Sequence, residues 1–188
     1  MKLLYFDTET TGLIPKGASY ENDFAIFPSI VQMSWYFNGR YNDYIIKPEG
    51  WQIPEESTKI HGISQTKAEK YGNLLGYVLS SFLIDCTEAD HIVAFNIYFD
   101  TSIIKAATIN MFGLNSEVYQ YMSNAIDKSK RIDLMYKSIK IVNARKENGS
   151  SKFPTLKELY FKLFEETFPS HNALEDVKAL KRCYEQLI

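Results

Sequence analysis

The sequence predicts an α/β protein built on a mixed five-stranded sheet, in which three antiparallel strands precede two parallel strands and helices flank the sheet. The antiparallel part is indicated by two β-rich runs joined through Asn38-Gly39, a dipeptide that supplies the positive φ angles of a tight hairpin. The parallel part is indicated by the apolar run 91–95, because a helical pattern follows it at once, as in a parallel crossover.

The composition is typical of one globular domain spanning residues 1–188, with 45% hydrophobic and 23% charged residues. No apolar run is long enough to cross a bilayer or to form the core of a signal peptide. Two cysteines are too few for a disulfide framework or a thiolate zinc site. We therefore expect a cytosolic protein that binds no membrane and whose metal chemistry uses oxygen ligands.

The elements of the first half follow from β-rich runs, loop-forming residues and helical spacing. In order, they are a strand at 3–6, a long loop at 14–29, strands at 30–37 and 41–47, an irregular stretch at 48–66 and a helix at 67–82.

The second half is predicted in the same way. Its elements are a buried strand at 91–95, a helix whose apolar face includes Ile103 and Met111, a short strand at 132–134, a helix at 135–142, a flexible loop at 143–153, a helix opening at Thr155 and a last helix from Asn172. Asp100 then lies near the carboxyl end of a central strand, where open α/β sheets place their sites.

Two carboxylates end the first strand. Asp7 and Glu9 are two positions apart, so their side chains point to the same face of the strand. In isolation, such a pair is most often a strand end whose acids face water. Asp176 favours a buried cluster instead, because it lies on the apolar face of the last helix, where a lone acid is costly. Its position is explained if it completes a cluster with Asp7 and Glu9, with His171 on the loop beside it.

Nine cations crowd a stretch of the chain that contains only two acids, Asp133 and Glu147. They are Lys128, Lys130, Arg131, Lys137, Lys140, Arg145, Lys146, Lys152 and Lys157. The net charge of −2 favours no partner, but this local basic surface could hold a phosphate backbone. On charge alone, a solvated loop explains the stretch equally well.

Three segments resemble, in order, the three exonuclease motifs of the DnaQ-like 3′-5′ exonucleases, the family of the proofreading epsilon subunit of bacterial DNA polymerase III. They are Phe6-Asp7-Thr8-Glu9-Thr10-Thr11-Gly12, Val93-Ala94-Phe95-Asn96-Ile97-Tyr98-Phe99-Asp100 and His171-Asn172-Ala173-Leu174-Glu175-Asp176. A histidine five residues before the last Asp is typical of the DEDDh branch, whereas the sister branch has a Tyr four residues before it, where this chain has Asn172. The segment from Ile60 to Ser64 also resembles the family's sequence between the first two motifs.

The resemblance implies an RNase H-like fold and a catalytic set on the motif positions. It implies that Asp7, Glu9, Asp100 and Asp176 hold two divalent ions, Mg²⁺ or Mn²⁺, which are hard cations that prefer carboxylate oxygen. It also implies that His171 accepts the proton of the attacking water, since an imidazole titrates near neutral pH.

Substrate contacts implied by the resemblance centre on the turn that contains Thr8, Thr10 and Leu13, which meets the terminal nucleotide. Phe99 either shapes the nucleotide pocket, where an aromatic ring offers a stacking surface, or belongs to the core. His61 either contacts the substrate or makes a loop hydrogen bond.

Two further positions belong to the second motif and to the strand before it. Asn96 positions the substrate strand or the metal-site loop. Many relatives have His immediately before that Asn, and this chain has Phe95, so no histidine contact is expected there. His91 precedes a buried strand and matches no motif, so we expect it to be structural.

We therefore expect a metal-dependent 3′-5′ exonuclease that acts on single-stranded or frayed DNA and releases nucleoside 5′-monophosphates. Proofreading and repair both suit such an activity, with a DNA polymerase as a candidate partner. Two alternatives remain open: an exoribonuclease similar to RNase T or oligoribonuclease, because pocket shape sets recognition of the 2′-hydroxyl, and a binding module without catalysis. An endonuclease of the RNase H type is disfavoured by His171 and by the motif order. The sequence does not set the oligomeric state.

Overall fold

The computed structural model describes Met1 to Ile188 and contains one five-stranded sheet in the order β3-β2-β1-β4-β5. The strands are β1 Leu3–Thr10, β2 Ile30–Phe37, β3 Arg40–Ile45, β4 His91–Ala94 and β5 Arg131–Asp133. β1 and β3 pair antiparallel with β2, and β4 pairs parallel with both β1 and β5. The predicted mixed sheet is therefore confirmed. Asn38 and Gly39 both have positive φ angles at the hairpin turn, as predicted.

Eight α-helices flank the sheet. They are α1 Glu55–His61, α2 Gln65–Tyr71, α3 Leu75–Glu88, α4 Ile97–Phe112, α5 Glu117–Ala125, α6 Leu134–Val142, α7 Leu156–Phe164 and α8 Ala173–Leu187. None of them is both long enough and apolar enough to span a membrane.

Two hydrophobic clusters place the helices on opposite faces of the sheet. The larger cluster packs α3 and α4 against inward side chains of β1 and β2, such as Phe6 and Trp35. The second packs α7 and α8 against Tyr5 and Val93 from the other face. Because neighbouring residues of a strand face opposite sides of the sheet, Phe6 belongs to the first core and Tyr5 to the second.

The predicted irregular stretch at 48–66 and the single helix at 67–82 are wrong. α1 occupies part of the first, and the second consists of two helices that separate at Gly72. A Cβ atom at Gly72 would lie 2.5 Å from the backbone nitrogen of Lys47, so the chain passes Lys47 closely there. The backbone N–H of Lys47 donates to Asn73 O at 2.9 Å, and this contact pulls the chain out of helical geometry.

Candidate active site

Three of the predicted carboxylates meet at the edge of the sheet where β1 ends. The side chains of Asp7 and Glu9 lie on the same face of β1, and Asp176 lies in the first turn of α8. One oxygen of each carboxylate lies within 4.8 Å of one oxygen of the other two. The three side chains therefore meet in one cluster, as the alternation along β1 and the helical spacing of α8 predicted.

Asp176 is held by the backbone that precedes its own helix. Its Oδ2 accepts the N–H of His171 at 2.8 Å and the N–H of Asn172 at 3.2 Å. The Asn172 side chain accepts the N–H of Glu175 at 3.3 Å, as expected for an N-cap. His171 has a φ of 65°, so the residue turns the chain sharply just before α8. These contacts fix the carboxylate and the histidine loop together.

Asp100 lies beside this cluster but is tied to β1. Its side chain is buried in the first turn of α4, and its Oδ1 accepts the backbone N–H of Thr8 at 3.1 Å and the Thr8 hydroxyl at 2.7 Å. Thr8 is itself 7% exposed. Both polar donors of Thr8 therefore orient Asp100, and the predicted nucleotide contact of Thr8 stays a prediction.

Burial raises the pKa values of all four carboxyl groups, and the other carboxylates of the cluster add to the rise at Asp7 and Glu9. Burial, followed by the charges of Asp100, Asp176 and Glu9, holds the pKa of Asp7 well above its usual range. Burial is also the main cause that raises the pKa of Glu9 to about 8, that of Asp100 to about 7 and that of Asp176 to about 6. None of them forms a salt bridge with a lysine or an arginine. A cluster of hard oxygen donors with uncompensated charge fits a divalent cation.

His171 carries an exposed side chain next to the cluster. Partial burial and the nearby charge of Lys157 lower the pKa of its imidazole. The imidazole is therefore neutral at physiological pH and is able to accept a proton.

The turn after β1 presents a mixed surface. The Thr10 hydroxyl donates to Gly12 O at 2.7 Å, which folds the turn back on itself, and the Leu13 side chain is 84% exposed. On the other side of the cluster, Asn96 has a φ of 66° and is exposed, and its N–H donates to Asp133 at 3.1 Å. Thr10, Leu13 and Asn96 therefore lie at the same edge as the carboxylates.

Two other predicted substrate contacts are in more interior positions. Phe99 is partly buried and packs against the larger hydrophobic cluster, as in the core alternative. His61 is 6% exposed, and its Nδ1 accepts the N–H of Ile63 at 3.1 Å, which is the loop hydrogen bond of the alternative. Burial lowers the pKa of His61, so this imidazole is neutral.

Two polar residues that support the site have no signal in the sequence. Gln32 is buried opposite Glu9 in β2, and its Oε1 accepts the N–H of Ala173 at 3.2 Å, which holds the start of α8 against the sheet. Asp133 accepts the backbone N–H groups of Asn96 and Ile97, which holds the segment between β4 and α4. Only a search for buried polar strand residues without an obvious partner would have found them.

The sequence matches the exonuclease family model, which includes RNase T, over residues 4–184. The chain belongs to the DnaQ-like 3′-5′ exonuclease family. The resemblance seen in the three motifs is thereby confirmed, and the chain is an exonuclease-type hydrolase. No curated protein sequence matches it.

Solved structures of exonuclease I share the fold. E. coli exonuclease I in complex with a dA16 oligonucleotide has a TM-score of 0.76 at 17% identity, over 99% of this chain and 40% of that one. The moderately thermophilic exonuclease I from Methylocaldum szegediense has a TM-score of 0.73 at 16% identity, with 99% and 40% covered. This chain therefore spans about two fifths of the length of those proteins. The RNase H-like fold expected from the motifs is confirmed.

Proposed function

We propose that this chain is a divalent-metal-dependent 3′-5′ exonuclease that acts on single-stranded or frayed DNA and releases nucleoside 5′-monophosphates. The observation that carries the proposal is the convergence of Asp7, Glu9 and Asp176 within 4.8 Å of one another, with Asp100 beside Asp7. Four clustered carboxylates that form no salt bridge destabilise the fold unless they serve a ligand. The family assignment makes phosphodiester hydrolysis the chemistry of that ligand site.

The metal ions would be held by the carboxylates of Asp7, Glu9 and Asp176 and by Asp100, whose Oδ2 is not used by Thr8. Two Mg²⁺ or Mn²⁺ ions bound there would activate the attacking water and stabilise the leaving oxygen of an in-line displacement at phosphorus. The pKa values of Asp7 and Glu9, raised by burial and by neighbouring carboxylates, support this proposal, because a bound cation would offset the cost of ionising these groups.

His171 has the role of general base in this proposal. Its neutral imidazole accepts the proton of the water as the new bond to phosphorus forms, and the bond to the 3′ oxygen of the strand breaks. The hydrogen bond from the His171 backbone to Asp176 keeps the histidine loop beside the carboxylates. The Thr10 to Leu13 turn receives the terminal nucleotide, and exposed Leu13 packs against its base.

Single-stranded DNA is favoured as the substrate because similar exonuclease I structures are complexes with dA16 and dT13 oligonucleotides. We also propose that residues 1–188 form one exonuclease domain, since both hydrophobic clusters share the same sheet. A role in DNA replication or repair in the cytosol follows from this activity.

A time course on 3′-labelled and 5′-labelled single strands of DNA and RNA, with and without Mg²⁺, tests the proposal. We expect immediate loss of the 3′ label as mononucleotide, a ladder of shortened 5′-labelled strands, faster cleavage of DNA than of RNA, and no reaction with EDTA. Asp7→Ala should be inactive, whereas Glu49→Gln, which alters an exposed acid outside the site, should match wild type.

Metal-dependent activity that persists in Asp7→Ala contradicts the assignment of the site. Faster cleavage of RNA supports the exoribonuclease alternative. Binding of strands without cleavage in either metal supports a module without catalysis.

A further inference from the structure

Two exposed aromatic side chains contact each other edge to face at the end of the sheet that holds the proposed active site. Tyr136 is 59% exposed and Phe153 is 54% exposed. Their ring centroids are 5.4 Å apart at an interplanar angle of 75°, and neither ring belongs to a hydrophobic cluster. An exposed pair of rings in contact forms a contiguous apolar surface, which is a candidate binding site.

The pair lies at the same edge of the sheet as the carboxylates. Tyr136 is in the first turn of α6, directly after the end of β5. Asp133, the N-cap of α6, also accepts the N–H groups of Asn96 and Ile97, so this turn is joined to the second motif. Phe153 lies just before α7, whose Lys157 places its charge near His171 and Asp176.

Unpaired cations surround the aromatic pair. Lys140 follows Tyr136 by one helical turn and therefore lies on the same side of α6. The loop between α6 and α7 is an ordered turn, because Lys146 N donates to Ser150 O at 2.8 Å and Lys152 N donates to Ala144 O at 3.1 Å.

Within the basic stretch 128–157, only Lys152 takes part in a salt bridge, with Glu158. Lys130, Arg131 and Arg145 donate hydrogen bonds within the chain. The remaining cations, which include Lys140 and Lys157, form no salt bridge, and a chain of phosphates is a partner that such cations beside two exposed rings fit.

We propose that Tyr136 and Phe153 form a stacking platform for bases of a single strand upstream of the cleaved nucleotide, with Lys140 and Lys157 on its phosphates. This inference rests on the proposed function for its direction. The Thr10 to Leu13 turn lies on the β2 side of the carboxylates, where Thr11 N donates to Ser29 O. We place the 3′ end of the bound nucleic acid at this turn. The rest of the nucleic acid then crosses the carboxylates and runs toward β5, where the platform lies. Any base can stack on an aromatic ring, so the platform adds affinity without sequence preference.

The test is binding of a fluorescein-labelled oligothymidylate of about twelve nucleotides, followed by fluorescence anisotropy in EDTA so that no strand is cleaved. Tyr136→Ala and Phe153→Ala should each raise the Kd about tenfold or more, because each removes a stacking surface. Tyr136→Phe should restore a Kd within about twofold of wild type, since the ring face is kept. Tyr121→Ala removes an equally exposed ring, on α5, and is the matched control that should leave the Kd unchanged.

Lys140→Gln tests the phosphate contact. The slope of log Kd against log salt concentration should fall by about 0.7, the contribution of one contact to a single strand. The rings are uncharged, so Tyr136→Ala should weaken binding at every salt concentration and leave the slope as it is.

The platform is refuted if both alanine variants keep a Kd within about twofold of wild type, or if only their affinity for blunt duplex falls. Wild type that fails to bind the strand also refutes it. The proposed function fails by a different result, the absence of hydrolysis by wild type with metal. Melting temperatures of all variants, expected to match wild type because the substituted rings are exposed, separate lost contact from lost fold.

Discussion

Replacing Asp7 with asparagine removes a charge from the carboxylate cluster and keeps the shape of the side chain. At the 4.8 Å limit that joins Asp7 to Glu9 and Asp176, two ionised carboxylates repel each other by about 3.5 kcal/mol at an effective dielectric constant of about 20. Burial and the neighbouring charges also raise the pKa of Asp7, so a proton that the folded chain holds there at pH 8 is a further cost that the variant lacks. The repulsion alone predicts that metal-free Asp7→Asn at pH 8 is more stable than wild type, by about 3 kcal/mol.

The assay is urea and thermal unfolding in EDTA at pH 8. For a chain of this size, about 3 kcal/mol corresponds to a rise in Tm of roughly 6–12 °C. Adding Mg²⁺ or Mn²⁺ should reverse the order, because a ligand that binds only the folded protein at 1,000 times its Kd adds about 4.1 kcal/mol to wild type and little to the variant. Glu49→Gln makes the same charge change at an exposed position and should shift neither value. If Asp7→Asn in EDTA equals wild type or is less stable, the carboxylates are not strained against one another and the metal site is wrong.

Two other predictions concern pH and the general base. Without metal, wild type should lose stability as the pH rises from about 5 to about 8, because raised carboxyl pKa values mean that the folded chain holds protons which the unfolded chain has released. The responsible pKa values are about 6 for Asp176, about 7 for Asp100 and about 8 for Glu9, and a free energy of unfolding that is flat or rising over this range is the contrary result. His171→Asn, chosen because asparagine tolerates the φ of 65°, should lower turnover about a hundredfold or more. The metal-induced rise in Tm should persist in this variant, and its loss together with turnover would assign His171 a ligating or structural role.

Periodicity located the carboxylate cluster because it is a property of local structure. Alternation along β1 places Asp7 and Glu9 on one face, and helical spacing turns Asp176 inward, as the structure shows. The mixed sheet followed from the hairpin dipeptide and from the strand and helix pattern at His91 to Phe112. The roles of these residues in catalysis stay predictions until they are measured.

Long-range contacts explain what periodicity missed. α1 has the sequence EESTKIH and no apolar repeat, and α2 separates from α3 because the backbone of Lys47 lies against Gly72. The interior position of Thr8 depends on Asp100, 92 positions away, so no local pattern distinguishes it from a substrate contact. Residues whose partners are distant in the chain therefore need the structure.

The hydrogen bond from Ala173 to Gln32 joins positions 141 residues apart, and together with the apolar face of α8 it holds the start of this helix and Asp176 against the first strands. Because chains are synthesised from the amino terminus, the first strands leave the ribosome long before α8 exists. Until α8 docks, Asp7 and Glu9 lack Asp176 and the histidine loop. The full set of site residues therefore assembles only after α8 has left the ribosome and docked on the sheet.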